Sequence, residues 1–252
     1  METDKYEFNK EKHIHTLNGK ALTGVTTILG VIAKPALIQW SANMAVEFIE
    51  KHQVIGHYNI DTKVGSIEFD MAFTDLLKEA RVAHRKKKED AGAKGTDVHE
   101  IVELLITGQI EGNKGVFTEY MKHENPQVQH FIDWAVKNKV KFIATEEHLY
   151  SKKWWVGGIC DFLCEIEDEL WLGDIKTSSG IYPEHFFQTS AYQKMYQEMG
   201  LHQNFKGNVI VCLKKDGTFE EKRSISNEDN LLAFTSALNL YRVQEKIKSN
   251  II

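Results

Sequence analysis

The chain has 252 residues, 42% of them hydrophobic and 27% charged, with a net charge of −5 at neutral pH. That is enough for one large domain or two small ones around a substantial core, and the balance excludes a disordered or fibrous protein. No run approaches the roughly 18 apolar residues of a membrane span, and the start Met1-Glu2-Thr3-Asp4-Lys5 lacks the basic, apolar and small-residue order of a secretory signal, so a soluble, intracellular, cytoplasmic protein with no membrane partner is expected.

Asn18-Gly19 between β-forming segments predicts a hairpin over 13–25, because a type I′ turn needs residues that tolerate positive φ. Thr26 and Thr27 open a short apolar segment. Pro35 suits the first turn of a helix to about Lys51, in which Leu37, Trp40, Met44 and Phe48 recur at helical spacing. Residues 52–65 read as a loop and 67–89 as a long helix, ended by Ala91-Gly92-Ala93-Lys94-Gly95. A further helix starts near Thr96, whose hydroxyl can cap its first turn, and runs to about Thr107 with Val98, Ile101, Val102 and Leu105 as its apolar stripe. After a loop over 108–125, Val128, Phe131, Ile132, Trp134 and Ala135 predict an amphipathic helix over 126–138.

A strand at 140–150 precedes two strands at 156–166 and 170–177. A helix follows at 183–199, then strands at 207–214 and 218–225 around Asp216-Gly217, then a helix at 228–248. The expected class is mixed α/β in a single domain over 1–252, with a hairpin and helical part (1–93), a core (94–225) and a C-terminal helix (226–252).

The hairpin of 156–177 carries the most chemistry. A turn at Glu167-Asp168 sets a register in which Asp161 lies opposite Asp174, and like charges placed there repel. Lys176 shares that face, with Ile159, Leu163, Leu170 and Leu172. Cys160, Phe162, Cys164, Trp171 and Ile175 are expected on the other, so the hairpin is covered on both sides. Two carboxylates in apolar surroundings have raised pKa values unless a cation joins them, which points to a divalent metal. The plainer reading, strand-end aspartates at a solvated edge, leaves their symmetric placement unexplained.

Other features are weaker one by one. His99 lies in the first turn of its helix, where a lone histidine is usually structural. Gln188 and Tyr192, four apart, share a helix face. From Lys78 to Lys94 seven basic residues stand against three acidic ones, with Arg85-Lys86-Lys87-Lys88 at the centre. Such a run either follows a phosphate backbone or is a solvated helix face, and Arg85 and Lys88 share one side of it. Cys160, Cys164 and Cys212 are odd in number and read as small apolar residues, too few for a four-cysteine iron–sulfur cluster. No Gly-x-x-x-x-Gly-Lys-Ser/Thr loop is present, so no nucleotide cofactor is expected.

Taken in order, Gly95-Thr96-x-x-His99, Gly158-Ile159-Cys160-Asp161, Asp174-Ile175-Lys176-Thr177-Ser178 and Gln188-x-x-x-Tyr192 resemble the RecB-like branch of the PD-(D/E)xK nuclease superfamily, in particular its stand-alone mitochondrial and phage exonucleases. Gly24-Val25-Thr26-Thr27-Ile28-Leu29 and Trp40 are similar to the N-terminal element of that branch. Cys160 departs from the proline that names the motif. The resemblance implies a restriction-endonuclease-like sheet flanked by helices and a metal-dependent DNA exonuclease acting on ends or single strands, in replication, recombination or repair. A structure-specific endonuclease of the same fold, or a binding module without catalysis, are the alternatives.

It further implies Mg²⁺ or Mn²⁺ held by Asp161, Asp174, the Ile175 carbonyl and His99. Lys176 would orient or deprotonate the attacking water or stabilise charge on the phosphoryl group. Gln188 and Tyr192 would support the catalytic strand or contact DNA, and Glu147 would be a nearby or second-metal ligand. An oligomer is compatible with all of this.

Overall fold

A computed structural model describes residues 4–59 and 64–251, with side chains at 35–36, 54–66 and 88–97 outside the described set. The chain divides into two compact units, Ala33–Asp97 and the remainder. The N-terminal hairpin belongs with the larger unit.

The larger unit is a mixed α/β structure built on an open eight-stranded sheet flanked by helices. Its strands are β1 (Tyr6–Asn9), β2 (Ile14–Leu17), β3 (Lys20–Gly24), β6 (Lys141–Ser151), β7 (Val156–Ile166), β8 (Glu169–Lys176), β9 (Gly207–Leu213) and β10 (Phe219–Ser224). The order is β1-β2-β3-β7-β8-β9-β10, with β6 along the other edge of β7. Strands β3 and β8 thus share one edge of β7: β3 pairs parallel with Val156 and Gly157, β8 antiparallel with Phe162 to Ile166, and the strand between is left unpaired on that side.

Helix α4 (Pro126–Lys137), capped by the Asn125 side chain on the Gln127 and Val128 amides, packs on one sheet face. Val98, Val102 and Ile106, at the end of α3 (Phe73–Ile110), join it around Phe131, Phe162 and Trp171. Helices α1 (Val25–Leu29), α5 (Pro183–Glu198) and α6 (Asn227–Asn250) cover the opposite face through Ile28, Tyr192, Met195, Tyr196 and Phe234. No helix among the described residues is long and apolar enough to cross a membrane. Cys160, Cys164 and Cys212 are free and buried.

The smaller unit holds α2 (Pro35–Lys51), a two-stranded sheet of β4 (Gln53–Asn59) and β5 (Val64–Phe69), and the first part of α3. Two expectations are corrected here. Residues 52–65, read as a loop, supply β4 and the start of β5, because Val54, Ile55, Tyr58 and Val64 are β-formers that a reading weighted toward His52, Gly56 and Asn59 passes over. Residues 60–63 of that stretch lie outside the described residues. The helix break at 91–95 is absent, since the backbone stays helical from 73 to 110. A glycine inside a helix costs only about 1 kcal/mol, which the alanines beside Gly92 and packing elsewhere offset.

Candidate functional site

The β7–β8 hairpin turns at Glu167 and Asp168, with φ of 54° and 61°, as a type I′ turn requires. The register continues to Phe162 opposite Gly173 and stops there, one step short of Asp161 and Asp174. At that point the strands part, and the Asp161 side chain takes over from the ladder: its Oδ2 accepts the Ile175 amide at 2.7 Å. The two aspartates are therefore brought together as expected, but across a divergence rather than as an ordinary cross-strand pair.

The same point reverses the faces of β7. Strict alternation places Cys160 with Phe162 and Cys164. Instead Cys160 packs with Leu163 and Leu172 against α5, while Phe162 and Cys164 lie in the α4 core. Beside this step Glu146 of β6 adopts a φ of 49°, and Thr145 Oγ1 donates to the Asp161 carbonyl at 2.9 Å. The local twist turns Phe162 over Gly173, where a Cβ would lie 1.8 Å from the ring.

Asp174 is 1% exposed. The Lys176 ammonium stands 2.5 Å from its Oδ2, an ion pair at hydrogen-bond distance, and Oδ1 has no hydrogen-bond partner. Burial pushes its pKa up to about 6, with Asp161 adding to the rise and Lys176 opposing it. Asp161 is also raised by burial, with Lys176 and the Ile175 amide opposing. Burial pulls Lys176 down, but Asp174 and Asp161 outweigh it and the net shift is upward, so this side chain stays a cation. Its second contact is Gln188 Oε1 at 3.4 Å, and Gln188 Nε2 donates to the Tyr192 hydroxyl at 3.2 Å. Tyr192 fits because residue 158 is glycine: a Cβ there would lie 2.4 Å from its ring.

His99 Nδ1 is 3.9 Å from Asp161 Oδ2, and burial with the Lys176 charge holds the imidazole below its usual range, hence neutral. Among the described residues no three His, Cys, Asp or Glu side chains converge closely enough to hold a metal ion. A buried carboxylate whose Oδ1 is unpartnered, beside a second carboxylate, fits a cation, and Mg²⁺ takes few protein ligands and keeps waters.

Glu147, expected near the metal, points elsewhere: its Oε2 accepts the Tyr196 hydroxyl at 2.7 Å on the α5 side. Its neighbour Glu146, which sequence reasoning missed, is the one beside Asp161. Burial pushes Glu146 up to about 7, with Asp161 and Glu103 adding and Lys10 opposing. Glu146 falls between the register pairs Thr145–Phe162 and Glu147–Cys160, level with Asp161, a placement that β6 read by itself does not reveal.

Of the basic run, Arg85 is exposed, Lys86 pairs with Glu79, and Lys87 lies 3.7 Å from Glu47, all in the smaller unit. The side chain of Lys88 lies outside the described residues.

No protein-family model matches this chain, and no curated protein does. Among solved structures it is similar to the crystal structure of SSO0001, at 13% identity over 56% of this chain and 86% of that one, with a TM-score of 0.26. A likeness that low carries no argument.

Proposed function

We propose that this protein is a metal-dependent deoxyribonuclease of the RecB-like, restriction-endonuclease-like class, hydrolysing phosphodiesters at DNA ends or in single strands inside the cell. The observation that carries the reading is Asp174, a fully buried carboxylate paired with Lys176 through Oδ2 and unpartnered at Oδ1, held beside Asp161 where two strands part. Folding alone has no use for that arrangement, and such clusters of perturbed groups mark sites of chemistry. Mg²⁺ or Mn²⁺ held by Asp161, Asp174 and the Ile175 carbonyl would supply Lewis-acid stabilisation of the phosphoryl group.

The residues themselves divide the remaining work. Lys176, kept charged by its two carboxylates, suits stabilising negative charge on the phosphoryl oxygens or orienting a water, rather than abstracting a proton. Gln188 and Tyr192 position Lys176 from α5. Neutral His99, with a lone pair to offer, faces Asp161 from the helix across the cluster.

The test is cleavage of end-labelled linear DNA and of circular single-stranded DNA with Mg²⁺ or Mn²⁺. Wild type is expected to degrade the linear substrate. Asp174→Asn and Lys176→Ala should each lose at least about 100-fold in rate, as when a group that stabilises charge in the reaction is removed. A fully active Asp174→Asn enzyme would remove the site assignment.

A further inference from the structure

A row of rings lies beside the acidic cluster, on β1, β2 and the far part of β6. Tyr150 and His148 alternate with Glu146 along β6, opposite Gly157 and Ile159 of β7. Over them fold Tyr6 and Phe8 of β1 and His15 of β2. Tyr6 stacks on Tyr150 at 5.7 Å and 17°, Phe8 stacks on His15 at 4.6 Å and 27°, and Phe8 meets the exposed His148 edge-on at 5.9 Å. Gly157 makes the approach possible, because a Cβ there would lie 2.9 Å from His15.

The row has a basic end and an acidic end. At the first, the β6–β7 turn carries Lys152, Lys153 and Trp155. Lys152 is paired with Asp4 at 2.6 Å, whereas the exposed Lys153 has no ion pair among the described residues. Trp155 is 39% exposed and held at a φ of 54°, an uncommon and strained backbone for a bulky residue, with its indole N–H donated to the Ala21 carbonyl at 2.8 Å. At the other end the β1–β2 turn borders the catalytic cluster: Lys10 lies 4.0 Å from Glu100, next to His99, and its charge reaches Glu146.

We propose that Trp155, Lys153, Tyr150, His148 and Phe8 form a track for single-stranded DNA, in which rings stack on unpaired bases and Lys153 meets phosphate on the way to Asp161 and Asp174. The inference rests on the nuclease reading and gives it a substrate class. Bases in a duplex present no free faces, whereas an unpaired base can lie on any aromatic ring whatever its sequence. The spare lysine and the strained, outward tryptophan are what a ring cluster serving only to pin the β1–β2 hairpin does not require.

The experiment measures binding of fluorescein-labelled dT15 and of a blunt 15-bp duplex in EDTA, which blocks cutting. Wild type should prefer dT15, and saturation with it should quench tryptophan fluorescence. Trp155→Phe should lose most of that quench. His148→Ala combined with Lys153→Ala, both at exposed positions, should weaken dT15 by at least about 5-fold, the low end for one lost stacked base, and weaken the duplex less. Wild type that cuts DNA while these variants bind dT15 normally would overturn the track and spare the nuclease reading. Wild type that neither binds nor cuts DNA would sink both.

Discussion

Asp174 releases its proton near pH 6 when folded, against an ordinary value of 3.8. Because the folded-state value is the higher one, its favourable contribution to stability is complete below about pH 4 and is lost as pH rises through about 6. In metal-free buffer, Asp174→Asn, which resembles the protonated form and leaves Asp161 to pair with Lys176, should melt above wild type at pH 8 by roughly 5 °C, with the gap closing toward pH 4. Differential scanning calorimetry across that range decides it, and parallel curves for the two proteins would reject the assignment. The adjacent glutamates make a second residue-level contrast. Glu147→Gln weakens the bond from Tyr196 and should cost about 1–2 kcal/mol of stability while sparing turnover. Glu146→Gln, whose carboxyl is raised to about 7 by burial, should instead raise metal-free stability at pH 8. Urea titrations of both variants give the comparison, and equal shifts would mean the side chains have been told apart wrongly.

At the scale of elements, the β7–β8 hairpin depends on Gly173 lying under Phe162. Gly173→Ala should lower stability by about 1–3 kcal/mol, as overpacked cores do, and Phe162→Leu in the same chain should recover part of it by withdrawing the ring. A urea midpoint unmoved by Gly173→Ala would show that the strands yield there at no cost. This hairpin was legible because two turn residues fix a register and a period of two fixes the faces, so Asp161, Asp174 and Lys176 followed. The face of Cys160 was not, since the reversal at Asp161 is made with Thr145 and Glu146 on a neighbouring strand, and one strand's pattern does not carry it. Helices with an apolar stripe and a proline in the first turn, such as 35–51 and 126–137, came out of local rules. The 73–110 helix did not, because a local rule charges for its glycines without seeing what offsets them. The ring row escaped for the same reason: Tyr6, Phe8, His15, His148 and Tyr150 share no periodic segment.

For the whole molecule, charge sits unevenly. The basic run belongs to the smaller unit, and part of it is spent on Glu47 and Glu79. If it guides phosphate, Arg85→Ala with Lys88→Ala should raise KM, leave kcat nearly unchanged and reduce the slope of log affinity against log salt by roughly 0.7 per lost contact on single strands. A slope equal to wild type would make the run a solvated helix face. The pairing of β3 with β7 bears on how the molecule is made. Thr23 bonds beside Val156, so the first three strands leave the ribosome on the order of ten seconds before their partner exists, at ordinary rates of synthesis. Until then they can pair only with one another, as a three-stranded meander with an open β3 edge that any passing strand could extend. Chaperone dependence should accordingly fall when residues 1–32 are supplied after the rest of the chain. In refolding, protection of the Thr23 amide should be among the last to appear by pulsed hydrogen exchange, because closing so long a loop comes late. Early protection there would mean that the sheet is begun at its N-terminal edge.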